Sequence, residues 1–153
     1  MNFQSDREMV KARKLIETVI RDHGSDPDKN RVSASEGGAA WALLFGSAAV
    51  MIALNPSNGK QSARLRIVSP VVKIEGEYKL ELLKRLLELN GTTLPGVSFG
   101  LVNEEVVLVS ERTIRGLDLP ELEEIIAMIG YYADKYDDLL SLEFGGTRVC
   151  DLD

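Results

Sequence analysis

The side chains able to do acid–base or nucleophilic chemistry are few. His23 is the only histidine and Cys150 the only cysteine in the 153 residues. A nucleophilic thiol needs a base within hydrogen-bond reach. These two stand near opposite ends of the chain and meet only if the tail folds onto the first helix. His23 falls where a helix is expected to end, so an imidazolium there faces the negative end of the dipole. A surface C-terminal cap is the expected role, and Cys150 is expected to be a spare thiol. Asp26, Asp28 and Asn30 have the opening spacing of a calcium loop. The sixth position is Arg31, where glycine is needed, and the twelfth is Gly37, where a bidentate glutamate belongs. Gly59-Lys60 resembles the end of a phosphate-binding loop, but Leu54 occupies the place of the earlier glycine and Gln61 that of the hydroxyl residue. With no paired cysteines there is no structural zinc motif. The carboxylate runs Glu104-Glu105, Glu121–Glu124 and Asp137-Asp138 are expected on wet turns and helix faces, where nothing tunes their pKa. No catalytic, cofactor-binding or metal-binding residue is assigned, and the expectation is a protein that is not an enzyme and carries no cofactor.

A basic group remains: Lys60, Arg64, Arg66 and Lys73, with Arg112 and Arg115 elsewhere. Arg64 and Arg66 alternate with Leu65 and Ile67, which puts both on one strand face and could track a nucleic-acid backbone. No aromatic residue interleaves with them, and single-strand platforms rely on stacking. A solvated sheet face is the preferred reading. The net charge of −6 and the sequence pI of about 4.9 oppose phosphate backbones and anionic membranes at long range.

Those side chains must be held by a scaffold of ordinary composition. Apolar residues make up 44% and charged residues 27% of the chain, and the length suits one domain, 1–153, with a core over about 5–142 and a short loose tail over 143–153. Asp6, Arg7 and Glu8 stand where a secretory signal needs an apolar run. The longest apolar stretch, 39–54, is broken by Gly46-Ser47 and is too short to span a bilayer. A cytoplasmic, membrane-free protein is expected.

The pattern predicts a first helix with Ser5 as N-cap and Glu8 as its capping-box partner. Met9, Ala12, Ile16, Val19 and Ile20 recur at helical spacing, Val10 and Leu15 widen the stripe, and Gly24 ends it. The polar segment 25–38 reads as loop. Two apolar runs, 40–45 and 48–54, flank Gly46-Ser47. A helix across them is the rival reading, but the Gly-Ser break and the turn 55–59 favour a hairpin. A third strand covers about 63–74, with Pro70 marking an edge or a bulge. A second helix over about 77–90 is expected to stop at Gly91. A second hairpin joins 97–102 to 105–112. The last helix opens at Asp118-Leu119-Pro120, with Asp118 as cap, and its stripe is Leu122, Ile125, Ile126, Ile129, Ala133, Tyr136 and Leu140. The order is α-β-β-β-α-β-β-α: an α+β, two-layer fold with a largely antiparallel five-stranded sheet and three helices.

The apolar content exceeds what this plan can bury. Leu80, Leu82, Leu83, Leu86, Leu87 and Leu89 cannot share one stripe at 100° per residue. The runs 48–54 and 106–109 are apolar on both faces. Either a helix covers each sheet face or an apolar surface stays open for a partner.

This organisation resembles the type III secretion chaperone fold and, more specifically, the YbjN-like domain family. The likeness rests on the hairpin 40–54, the run Arg64–Ile74 leading into a leucine-rich helix, Pro95-Gly96-Val97-Ser98-Phe99-Gly100 before a strand pair, and the long last helix opened by Leu117-Asp118-Leu119-Pro120. It covers about 5–142. The resemblance implies a homodimer formed through the middle helix and adjoining strands, binding of protein segments on exposed apolar surface, a regulatory or chaperone-like role and no cofactor. On that basis Leu80, Leu83, Leu87, Val107 and Val109 are candidates for the dimer interface, and Val50, Ile52, Arg64 and Arg66 for partner binding.

Overall fold

The computed structural model describes residues 3–152. The chain runs α1 (Phe3–Asp22), β1 (Arg31–Val32), β2 (Ala39–Phe45), β3 (Ala48–Asn55), β4 (Arg64–Lys73), α2 (Lys79–Thr92), β5 (Ser98–Val102), β6 (Glu105–Thr113), α3 (Leu119–Phe144), β7 (Thr147–Arg148) and a 3-10 turn at Val149–Asp151. The strands form one antiparallel sheet in the order β1-β2-β3-β4-β6-β5, with β7 also paired to β4.

Period-2 alternation sends one side of each strand under the helices. Trp41, Ile52 and Ile67 lie on one rung of that face, and Leu54 pairs Leu65 on the next. The predicted α3 stripe is buried against them, together with Ala12, Ile16, Val19 and Ile20 of α1. Asp118 caps α3, its carboxylate accepting from the Glu121 N–H at 2.9 Å, and Gly145 ends it at φ 74°. Gly46 turns the first hairpin at φ 62°. Asn103 and Glu104 turn the second with φ of 50° and 65°, the left-handed pair that a two-residue hairpin takes.

Five details differ from the expectation. The sheet has seven strands rather than five. The added ones, β1 and β7, are two residues each; β1 forms on the free edge of β2, and β7 on β4 beyond Val68, where β3 no longer pairs. Segment 25–38 is therefore partly strand: Arg31 pairs Trp41 and lays its guanidinium 5.3 Å from the indole centre. Ser5 does not cap α1, because the helix already includes Phe3; its hydroxyl instead shares a hydrogen bond with Ser57. Val10 does not widen the buried stripe of α1 and is exposed. Gly91 does not stop α2, which runs through it to Thr92, where the Thr93 N–H still reaches the Leu89 carbonyl.

Pro70 gives a bulge, with the β4–β6 register shifting between Pro70 and Val72. A proline cannot donate to the ladder, so the strand, central between β3 and β6, absorbs it by slipping one residue.

Candidate protein-binding surfaces

All three helices pack on one side of the sheet, and this leaves the opposite side open. Register places its residues in rungs. Ala42, Met51, Val68, Val109 and Ser98 form one rung across five strands, and Pro70, Val107 and Gly100 another. Val107 is only 4% exposed yet lies outside the helix-packed cluster, because side-by-side neighbours rather than a helix shield it. Leu44 and Met51 are exposed, and Val68 and Val109 are half-buried. The result is an apolar strip with no covering layer.

Arg64 and Arg66 stand on the same face. Both guanidinium groups donate to Glu111, Arg64 Nε to Oε1 and Arg66 Nη1 to Oε2, each at 2.6 Å. The Arg66 hydrogen bond, seconded by that of Arg64, holds the Glu111 carboxyl below its ordinary range against the opposing effect of burial. Two cations shared with one carboxylate are not a free basic patch, and no aromatic residue lies on their rungs. The nucleic-acid reading gains no support from this arrangement.

Val50 and Ile52 require a correction. Both are buried under the helices, so neither offers surface. Alternation gives the outward positions of β3 to Ala49, Met51 and Ala53. The sequence run is apolar at every position, so its two faces could not be told apart without the packing partner.

Helix α2 lies along the outer edge of β5, tied at both ends. Lys79 Nζ meets Glu104 Oε2 at 3.1 Å. At the other end Asn90 bonds the peptide of Phe99 twice, Oδ1 accepting from its N–H at 2.6 Å and Nδ2 donating to its carbonyl at 3.0 Å. Leu82, Leu86 and Leu89 are buried, and Leu83 is partly buried against the core. Leu80 and Leu87 remain 76% and 72% exposed. Seven residues apart, they fall within about 20° on the helix circumference and make one apolar ridge.

His23 caps as expected: its Nδ1 lies 3.2 Å from the Val19 carbonyl, and its ring stands edge-on to Phe45. Cys150 makes no hydrogen bond to it; its Sγ lies 3.6 Å from Asp137 Oδ2. Asp137, expected on a wet helix face, is buried at 7% exposure, and that burial pushes its carboxyl up. The stripe of α3 passes through it, but a charged residue at a stripe position gives no local sign of burial. Among the described residues no group of three or more acidic, histidine or cysteine side chains is arranged to hold a metal ion, and no helix is long and apolar enough to cross a membrane.

The chain is similar in structure to several known complexes. Against the ExsC–ExsE complex the TM-score is 0.63 at 19% identity, covering 86% of this chain and 95% of that one. Against the HopA1–SchA chaperone–effector complex it is 0.59 at 13% identity, covering 90% and 98%. Against the heterodimeric ExoU–SpcU complex from the type III secretion system of Pseudomonas aeruginosa it is 0.56 at 16% identity, covering 81% and 96%. At these identities the likeness is one of fold. No curated protein matches the chain. Residues 11–152, nearly the whole chain, match the model of the T3SS (YopN, CesT) and YbjN peptide-binding chaperone family 1, TY-Chap1, and the chain belongs to that family.

Proposed function

We propose that the chain works as a homodimeric, non-enzymatic chaperone or adaptor that holds segments of partner proteins, with a regulatory role through what it holds. The observation that carries this reading is the open sheet face: an antiparallel sheet with helices on one side only and an apolar strip through Met51, Val68 and Val109 on the other. Membership in a peptide-binding chaperone family and a fold shared with chaperone–effector complexes support it. Exposed apolar surface of this kind marks an interaction site in a folded protein.

The dimer surface is the α2 ridge of Leu80 and Leu87, with Leu83 at its base. A two-fold interface is self-complementary, and one leucine-bearing ridge laid against its copy meets that condition. The partner surface is the open face: Met51, Val68 and Val109 form its apolar centre, with Val107 buried beside them, and Arg64, Arg66 and Glu111 form a polar end, so Val107 and Val109, dimer candidates by resemblance, are assigned here to the partner face.

Light scattering on the purified chain tests the dimer, and a monomer at micromolar concentration rejects it. Capture of unfolded segments by the wild-type chain, compared with a Met51→Glu, Val109→Glu variant, tests the face. Equal capture by both proteins would reject it.

A further inference from the structure

The open face has a hole in it. The β3–β4 ladder ends at the Met51–Val68 pair. Beyond it Pro70 offers no N–H, and the Ser69 hydroxyl rather than a backbone amide donates to the Ala49 carbonyl at 2.7 Å. The two strands part there and leave a cleft of about 410 Å³, within the range of small-ligand sites. Its walls include Ala49 and Pro70 from the outward face and Ala48 and Val71 from the inward one, so it passes through the plane of the sheet. Its floor is α3, where Ala133 and Asp137, four residues apart, share a face.

Asp137 is the only acidic or basic side chain buried in the described part of the molecule. Its Oδ1 accepts from the Asp138 N–H at 2.6 Å, but the one donor near Oδ2 is the weak Cys150 thiol at 3.6 Å. Among the described residues no cation bonds it: Arg148, whose charge acts on Asp137 only through space, is committed to Asp138 at 2.5 Å and to Asp151 at 2.6 and 2.9 Å. Asp137 is the only charged side chain that lines the cleft. Asp134 accepts from Ser47, itself a lining residue, and Asp138 and Asp151 both accept from Arg148. A buried carboxyl group with no ion-pair partner beneath apolar walls complements a side chain with an apolar stem and a cationic tip, and lysine and arginine have that form.

We propose that the cleft receives one lysine or arginine side chain of a protein segment lying on the open sheet face, its methylenes against Ala48, Ala49, Pro70 and Val71 and its cation on the Asp137 carboxylate. The inference rests on the function proposed above and names a chemical requirement of the segment. It also gives a reason for a carboxylate that burial disfavours: such groups persist where a site needs them.

The test is an NMR titration of the whole chain with N-acetyl-argininamide and N-acetyl-lysinamide, using N-acetyl-norleucinamide as the uncharged control. The amides of Ala133, Asp137 and Val149–Leu152 should shift with both cationic compounds and not with the control. Asp137→Asn keeps an acceptor for the Asp138 N–H and should weaken binding by about tenfold or more. Ala49→Phe, at an exposed position, should block the cleft without touching the carboxylate. Removing the buried charge should leave Asp137→Asn at least as stable as wild type at neutral pH, so lost binding is not unfolding. Equal binding of the norleucine compound, unchanged binding by Asp137→Asn, or no shift at these amides would overturn the subsite. Segment capture that is insensitive to Asp137→Asn would overturn the subsite alone. Cation binding at Asp137 by a chain that captures no segment would overturn the chaperone reading and leave the cation site.

Discussion

The side-chain amide of Asn90 makes the two hydrogen bonds to Phe99 that a neighbouring strand would make to its peptide. An edge strand with free N–H and C=O groups invites pairing with other chains. Here the end of α2 occupies that position, so Asn90 both docks the helix and closes β5 to a further strand.

Replacing Asn90 by Ala removes both bonds and strands a half-buried peptide, at a cost of about 1–3 kcal/mol. Asn90→Asp should do nearly as much harm at neutral pH, because a carboxylate cannot donate to the Phe99 carbonyl. Chemical denaturation measures the loss, and hydrogen exchange should show the Phe99 amide deprotected in both variants.

The leucines of α2 should divide by face. Leu80→Glu combined with Leu87→Glu changes exposed positions, so the fold should persist with a stability change of about 0.5 kcal/mol or less per site, while the mass by light scattering falls to that of a monomer. Leu82→Ala or Leu86→Ala should each cost about 2–5 kcal/mol as cavities in the core. A Leu80, Leu87 variant that unfolds would show that the ridge belongs to the core; one that remains dimeric would move the interface elsewhere.

Glu111 should give the fold an acid-sensitive contribution. Its carboxyl titrates lower in the folded chain than in the unfolded one, chiefly through the Arg66 hydrogen bond. The stabilisation is therefore present above the unfolded glutamate pKa and is lost as pH falls through the lower folded value. Glu111→Gln should flatten the decline in melting temperature over that acid interval and change little in its slope near neutrality. An unchanged acid limb would mean that the two ion pairs contribute nothing measurable, as many exposed pairs do.

Gly146 should be intolerant of substitution. Its φ is 92°, and a Cβ there would lie 2.6 Å from the Lys73 carbonyl. Gly146→Ala should break the β4–β7 pairing and release Thr147–Asp151, with faster alkylation of Cys150 as the readout. In the native chain burial and the neighbouring Asp151 and Asp137 push the thiol up, so it should react more slowly than a free thiol at neutral pH.

What was legible in the sequence was what short-range physics decides. The α3 stripe from Leu122 to Leu140, the Asp118 cap, the Gly46 turn and the Pro70 bulge each follow from side chains within a few residues of one another. They sufficed to place the two hairpins and the helices, and with them the fold. The ridge of Leu80 and Leu87 was legible as an excess on α2, since a helix resting on one layer needs only part of its circumference apolar.

The tertiary structure decided what depends on distant partners. Strands β1 and β7 are two residues long and carry no pattern of their own; they exist because β2 and β4 offer hydrogen bonds. Val50 and Ile52 point inward because α1 and α3 lie on that side of a run apolar on both faces. Asp137 becomes a buried carboxylate because α3 packs against β3 and β4 and the tail closes beside it. Local sequence specifies conformation, whereas burial and the pairing of edges are set by which surfaces the folded chain brings together.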